Sequence, residues 1–187
     1  MINRLSQFFI RISRGWLVLL ALLVFIVFMV FVLPAQSAQA AETSGGAGSA
    51  DTSFFYTAAD LYHMAEAYGV QGRQAYIRAR FTFDLVWPIA YAFFLTTAIS
   101  WLFSKALPEA SRWHLLNIAP VLGMLFDYLE NIGASLVMAR YPLQTAVIDL
   151  LTPVFSLLKW LFVSGSFIIQ LIAAALATWQ WIKSQRN

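Results

Sequence analysis

The stretch WLVLLALLVFIVFMVFVLP, from Trp16 to Pro34, decides the class of fold. No polar side chain occurs between Leu17 and Leu33, and an apolar run of this length can cross a bilayer as a helix. The whole chain has 187 residues, of which 60% are hydrophobic and 11% are charged. A soluble domain is roughly a quarter charged. We therefore predict an integral membrane protein.

Three more long apolar stretches follow, at Phe81–Ser104, Trp113–Ala139 and Ala146–Ile182. In lipid, every backbone polar group must be satisfied within the protein, so only helices and closed barrels can span the membrane. These stretches are too long and too continuous for strands. The sequence therefore predicts an all-α fold, a four-helix transmembrane bundle.

The first apolar stretch has two interpretations. The pattern Ala38–Ala40 before Ala41 fits a signal-peptidase site, and Arg4, Arg11 and Arg14 provide a basic leader region. However, the apolar run is longer than that of a normal signal peptide and suffices to span the bilayer. We expect an uncleaved span, residues 1–34, that packs at the periphery and contributes nothing to any site.

Residues 35–80 are predicted to form an extracytoplasmic segment, a small-residue linker followed by an amphipathic helix. Thr57 and Asp60 have the spacing of a capping box at a helix start, and Gly69 is a natural stop. Leu61 and Ala65 belong to an apolar face with helical spacing, which also includes Met64 and Tyr68. This helix lies either on the outer membrane surface or, as an ordinary loop helix, over the bundle formed by residues 81–187.

The basic residues predict the topology. Seven lie on the side of the N-terminus: Arg4, Arg11, Arg14, Lys105, Arg112, Lys183 and Arg186. Four lie on the opposite side: Arg73, Arg78, Arg80 and Arg140. Cytoplasmic loops carry the excess of Lys and Arg, so we expect a multi-pass protein of the inner membrane with both termini in the cytoplasm.

Charged residues interrupt the third and fourth apolar stretches. In FDYLENIGASLVMARYP, Phe126 to Pro142, the side chains of Asp127, Glu130 and Asn131 fall on one helix face. Lys159 lies at a similar depth in the next stretch. An unpaired charge at a helix centre costs about 3 kcal/mol in a bilayer, so we expect Asp127 and Lys159 to pair.

A further acid, Asp84, begins the second stretch, and Arg80 four residues earlier is its expected partner. The buried acids Asp84, Asp127 and Glu130 outnumber the buried bases Arg80 and Lys159 by one. The acid in excess is either protonated or holds a cation. Intramembrane ionisable residues mark functional sites, yet the same residues could form a network that joins helices and fixes their register.

The sequence resembles a group of bacterial four-span integral membrane proteins to which no activity is assigned. The resemblance rests on four motifs: Gly69, Gly72, Arg73 and Tyr76; Asp84, Pro88 and Tyr91; Asp127, Glu130 and Asn131; and Lys159 with Trp160. It implies the four-span fold and supports the choice of polar residues, but it implies no chemistry.

We expect a polar pocket between the second, third and fourth spans, opening outwards under the amphipathic segment. Its candidate ligand-binding residues are Asp84, Tyr91, Asp127, Glu130, Asn131, Ser156 and Lys159. Its expected outer rim consists of Arg73, Tyr76 and Arg80. The candidates for acid–base catalysis are Asp127, Glu130 and Lys159.

Composition narrows the function further. The chain has no cysteine and two histidines, His63 and His114, so we expect neither a metal nor another cofactor. The sequence also lacks the basic cluster with interleaved aromatic residues that would indicate nucleic-acid binding.

The leading hypothesis is the binding of a lipid, an amphipathic small molecule or a membrane partner. The alternatives are an intramembrane enzyme acting on a lipid or isoprenoid, and a proton-coupled transporter. Besides lipids, the expected partners are a second copy of the chain or another membrane protein.

Overall fold

The computed structural model describes residues 1–186, except for the side chain of residue 51. Asn187, the last residue of the predicted bundle, lies outside the described residues. The described chain is all-α, as predicted, and consists of α1 (Ile2–Ile12), α2 (Gly15–Val27), α3 (Leu33–Thr43), α4 (Ala58–Ala67), α5 (Gly69–Arg80), α6 (Phe83–Ala106), α7 (Ala119–Arg140) and α8 (Ile148–Gln185). Short 3-10 turns occur at Ala50–Thr52 and Arg112–Ile118.

Four helical stretches are long and apolar enough to cross a membrane. They are Gly15–Thr43, Gly69–Ala106, Arg112–Arg140 and Ile148–Gln185, and we call them spans one to four. Their number and positions agree with the predicted apolar stretches. The fold is consistent with a multi-pass membrane protein.

Span one is a single helical rod with an irregular turn. A π-helical turn at Phe28–Val32 joins α2 to α3, and the N–H of Leu33 donates to the carbonyl of Phe28. Pro34 has no N–H to continue the regular pattern, which accounts for the wider turn. The expected linker is wrong between residues 35 and 43, because this segment, rich in Ala and Gln, continues the helix to Thr43.

Helices α6, α7 and α8 pack against one another and form the bundle. Small residues allow α7 and α8 to approach closely, as in other membrane helix pairs. A Cβ atom on Gly133 would lie 2.2 Å from the Oγ1 of Thr152, and one on Gly123 would lie 2.9 Å from the Cγ2 of Val163. These two contacts fix the register of α7 against α8.

Helices α4 and α5 cover one end of the bundle, which we call the capped end. The capping box is confirmed, because Thr57 and Asp60 exchange hydrogen bonds at the start of α4. Gly69 has a φ of +59° and separates α4 from α5. The apolar face of α4, including Leu61, is buried in a cluster with Val137 and other residues of α7. Of the two interpretations of this helix, packing over the bundle is therefore confirmed.

The opposite end of the bundle carries α1 and the end of α8. There α1 packs against the 3-10 turn and against α6. The Ser6 hydroxyl donates to the carbonyl of His114, 3.0 Å away. The Asn117 amide donates to the Ser6 carbonyl at 3.2 Å and to the Ser100 hydroxyl at 2.9 Å. These buried hydrogen bonds hold α1 in one orientation.

Candidate functional site

A buried ion pair joins spans three and four. Lys159 Nζ lies 2.6 Å from Glu130 Oε2, and both side chains are buried. The Tyr56 hydroxyl donates to Glu130 Oε1 at 3.0 Å, which connects the segment before α4 to the same carboxylate. Glu130 is therefore one partner of Lys159 between α7 and α8. The predicted pairing of Lys159 with Asp127 stays a prediction, and both residues line the cavity described below.

Side-chain direction explains how Lys159 reaches Glu130. Gly133 faces Thr152 and Gly123 faces Val163, so the α8 backbone does place residue 159 near the level of residue 127. Side chains of a helix lean toward its N-terminus. In the antiparallel pair, Lys159 leans toward the capped end, where Glu130 lies.

Asp127, for the same reason, leans away from the capped end. Its Oδ2 accepts from the Tyr91 hydroxyl at 3.1 Å, and its Oδ1 accepts from the Asn131 amide at 3.2 Å. All three side chains are buried. Tyr91 of span two and Asn131 of span three thus orient this carboxylate by one hydrogen bond to each oxygen.

The predicted pair at the start of α6 is confirmed. Arg80 Nη1 lies 2.6 Å from Asp84 Oδ2, and both side chains are buried. The guanidinium also lies over the Tyr76 ring, 4.5 Å from its centroid. This second charged cluster lies near the capped end.

Residues 53–56 close the capped side of the polar network. The carbonyl of Ser53 accepts from the Trp160 indole at 3.2 Å and from the Ser156 hydroxyl at 3.5 Å. The Phe54 ring stacks on Trp160, with centroids 5.5 Å apart. Ser156 thus holds the linker and does not face the cavity described next.

A cavity of about 370 Å³ lies beside the network. Its lining includes the polar side chains of Tyr91, Asp127 and Lys159. Its remaining lining consists of Phe25, Met29, Leu33, Thr52, Trp87, Trp160, Val163 and Phe167. The cavity therefore joins an aromatic and aliphatic surface to one carboxylate and one ammonium group.

Span one forms one side of this cavity, through Phe25, Met29 and Leu33. The expectation that the first span contributes to no site is therefore wrong. The rings of Phe25 and Trp87 stack at 5.7 Å, and this contact brings the span against α6. An apolar helix cannot contribute a polar group, but it can supply the apolar side of a pocket. Span one is nevertheless largely unburied within the chain, as expected of a peripheral span.

The cavity adjoins a more polar crevice of about 410 Å³. The two share Leu33 and Thr52 in their linings, and the crevice reaches Arg80 and Asp84. Ser44, Ser49 and Gln36 also line it. A path with an apolar part and a polar part thus runs along span one toward the capped end.

Other predicted residues have different positions. Arg73 donates to the carbonyl of Ala65 at 2.8 Å and lies over the Tyr141 ring, so it joins α5 to α4 and α7 and lines neither the cavity nor the crevice. Tyr76 is buried against Arg80 and Tyr68. Glu130 and Asn131 form the layer behind the cavity surface.

Sequence reasoning missed Tyr56, Trp87 and Phe25. A signal for Tyr56 existed, because an apolar residue just before an N-cap commonly packs against the fourth helical residue, here Leu61. Both belong to one buried cluster. Nothing in their spacing marks Trp87 or Phe25 as different from the lipid-facing residues around them.

Comparison with known proteins leaves the site to be interpreted from its geometry alone. No family model matches the chain, and no curated protein or solved structure is significantly similar to it.

Proposed function

We propose that the protein resides in a bacterial inner membrane and binds a lipid or another amphipathic small molecule in the cavity lined by all four spans. One observation supports this proposal above the others: the cavity joins Phe25, Trp87 and Phe167 to Asp127 and Lys159. Ligand pockets are typically apolar, with a few polar groups that fix the orientation of the ligand.

The arrangement suits an amphiphile. Its apolar part would contact the aromatic side chains, which could also receive it from the surrounding lipid. Its polar part would contact the carboxylate of Asp127 and the ammonium of Lys159, or extend through the adjoining crevice toward Arg80. The cavity volume lies within the range of small-molecule sites, roughly 300–1,000 Å³.

Filling the cavity tests this function. Met29 lines the cavity, whereas the next residue, Val30, is exposed and does not. We expect Met29→Trp to lose a bound amphiphile that wild type and Val30→Trp retain through purification in a mild detergent. Mass spectrometry of solvent extracts would measure the retained ligand. Equal retention by all three proteins would contradict the proposal.

Acid–base catalysis on the bound amphiphile is the second candidate function. The oriented carboxylate of Asp127 favours it, because Tyr91 and Asn131 hold both oxygens while the residue lines the cavity. A general base requires such positioning within reach of its substrate. Asp127→Asn preserves the shape of the side chain. If the protein is an enzyme, this variant should retain a ligand of different mass from the wild-type ligand; an unchanged ligand would favour simple binding.

A further inference from the structure

Helix α1 has three distinct faces. One face, including Ser6, Phe9 and Ile10, is buried or half-buried against the bundle. A second face is apolar and exposed, and it consists of Ile2, Leu5, Phe8 and Ile12. The third face is polar and consists of Asn3, Arg4, Gln7 and Arg11.

The packing of α1 against the bundle keeps its apolar face exposed. Ser6 is held by His114 and Asn117 through the buried hydrogen bonds at the opposite end of the bundle. These contacts prevent α1 from turning its apolar face inward. Phe8, with 52% of its surface exposed, therefore points away from the protein.

The apolar face of α1 adjoins the apolar surface of span one. Helix α1 ends at Ile12, and α2 begins at Gly15, so only two residues separate them. Trp16 and Leu19, in the first turns of α2, are also exposed. One apolar medium, the bilayer around span one, can therefore cover both surfaces.

The charges on this segment have one sign. Arg4, Arg11 and Arg14 are exposed, and residues 1–14 contain no acidic residue. A helix with an apolar face and basic residues on its polar face is typical of segments that lie in a membrane interface. Basic residues near the bilayer surface are attracted to anionic lipids.

We propose that α1 lies in the plane of the bilayer surface and binds anionic phospholipid headgroups. Its apolar face enters the hydrocarbon boundary, and Arg4, Arg11 and Arg14 contact the phosphates. This lipid-binding surface is separate from the cavity and does not depend on the function proposed for the cavity.

Two spin labels test the orientation of α1. Because the chain has no cysteine, Phe8→Cys and Gln7→Cys can each carry a single nitroxide on the full-length protein. The variants are reconstituted in vesicles of phosphatidylcholine and phosphatidylglycerol. We expect the label at position 8 to collide with oxygen dissolved in the bilayer, and the label at position 7 to collide with a water-soluble nickel reagent. Equal access of the nickel reagent to both labels would overturn the proposal.

The headgroup preference is tested with spin-labelled lipids. We compare wild type with Arg4→Gln/Arg11→Gln and with Lys183→Gln/Arg186→Gln, which removes the same charge from the end of α8. We expect the preference for phosphatidylglycerol over phosphatidylcholine to fall in the α1 variant by up to about fivefold for each of the two charges removed, since a basic residue near an anionic surface contributes about 1 kcal/mol. The α8 variant should retain more of the preference. An equal fall in both variants, or none in the α1 variant, would contradict headgroup binding by α1.

A second copy of the chain is the competing occupant of the apolar face. Dipolar broadening of the signal at position 8 that disappears on dilution with unlabelled protein would show this occupant. Such a result would overturn the lipid proposal, whereas a spectrum unchanged by dilution would agree with it.

Discussion

Lys159 illustrates how the direction of one side chain decides a pairing. Its backbone lies near the level of Asp127, yet its ammonium group lies 2.6 Å from Glu130. The side chain has enough length to follow its lean toward the capped end. Asp127 is shorter, and its carboxylate accepts a hydrogen bond from Tyr91. The two acids consequently differ in role, because Asp127 lines the cavity and Glu130 joins α7 to α8.

The pair of Glu130 and Lys159 predicts an energetic coupling between the two residues. Removing one member of a buried ion pair costs on the order of 3–5 kcal/mol, and removing both restores part of that loss. We expect the cycle of Glu130→Gln and Lys159→Met to give a coupling energy of about 0.5–3 kcal/mol. Unfolding in detergent measures this coupling, and a coupling energy near zero would contradict the pair.

The carboxyl group of Asp60 makes the stability of the cap of α4 depend on pH. Its pKa is lowered from the ordinary value of 3.8, first because its carboxylate accepts from the backbone N–H of Thr57 and then because it accepts from the Thr57 hydroxyl. A lowered pKa in the folded state stabilises the cap above pH 3.8, and this contribution is lost as the pH falls through the folded value.

Thr57→Val removes the hydroxyl and keeps the backbone donor. The pKa of Asp60 should therefore rise toward 3.8 without reaching it, as measured by NMR titration of the carboxyl group. In the wild type, we also expect the backbone amides in the first turn of α4 to lose protection from hydrogen exchange as Asp60 becomes protonated. Hydrogen exchange measured over the same pH range would show this loss. Protection that does not change with pH would contradict this role of the cap.

At the scale of helices, the sequence was sufficient for features that depend on local patterns. The four spans follow from apolar length, because a bilayer admits no other structure for such stretches. The capping box at Thr57 and the Arg80–Asp84 pair involve residues three or four positions apart. Tyr56 reaching Glu130 and span one lining the cavity depend on the packing of distant elements. No spacing within one helix encodes those contacts.

The close contact of α7 with α8 predicts a strong effect of one methyl group. In Gly133→Ala the new Cβ would lie 2.2 Å from Thr152 Oγ1, so the helices must separate, and overpacking of this kind typically costs about 1–3 kcal/mol. Gly165→Ala is the matched control, because nothing lies within 4 Å of its Cβ position. The control should be neutral or stabilising by up to about 1 kcal/mol. Thermal unfolding of both variants measures the difference.

Thr152→Ala should restore part of the stability lost in Gly133→Ala, since it removes the nearest oxygen. A double variant as unstable as the sum of the two single variants would show that the strain arises elsewhere.

At the scale of the whole molecule, α8 relates the bundle to the membrane. Its 38 residues extend about 57 Å at 1.5 Å per residue, which exceeds the roughly 30 Å of hydrocarbon. Its first turn holds Asp149, which accepts a hydrogen bond from Tyr62 of α4 at 3.0 Å. The length of α8 therefore lets the capped end project beyond the hydrocarbon while the same helix still crosses it.

The asymmetry of basic residues predicts the topology, and we expect both chain ends on the cytoplasmic side. Reporter fusions at Leu107, between spans two and three, should be active in the cytoplasm. Fusions at Gln144, between spans three and four, should be active outside it. The reverse pattern would place the capped end in the cytoplasm and contradict the proposed orientation.

Retention of span one is the prediction with the greatest consequence for the cavity. The pattern Ala38–Ala40 that fits a cleavage site lies within helix α3, and the residues before it include Phe25, Met29 and Leu33. Cleavage before Ala41 would remove one side of the cavity and leave Trp87 without its stacking partners Phe25 and Phe28. We therefore expect the mature protein purified from membranes to retain span one, as measured by its intact mass and N-terminal sequence. A mature chain beginning at Ala41 would contradict this expectation, and Asp127 and Lys159 would then face a groove between three spans that is open to lipid on the side of span one.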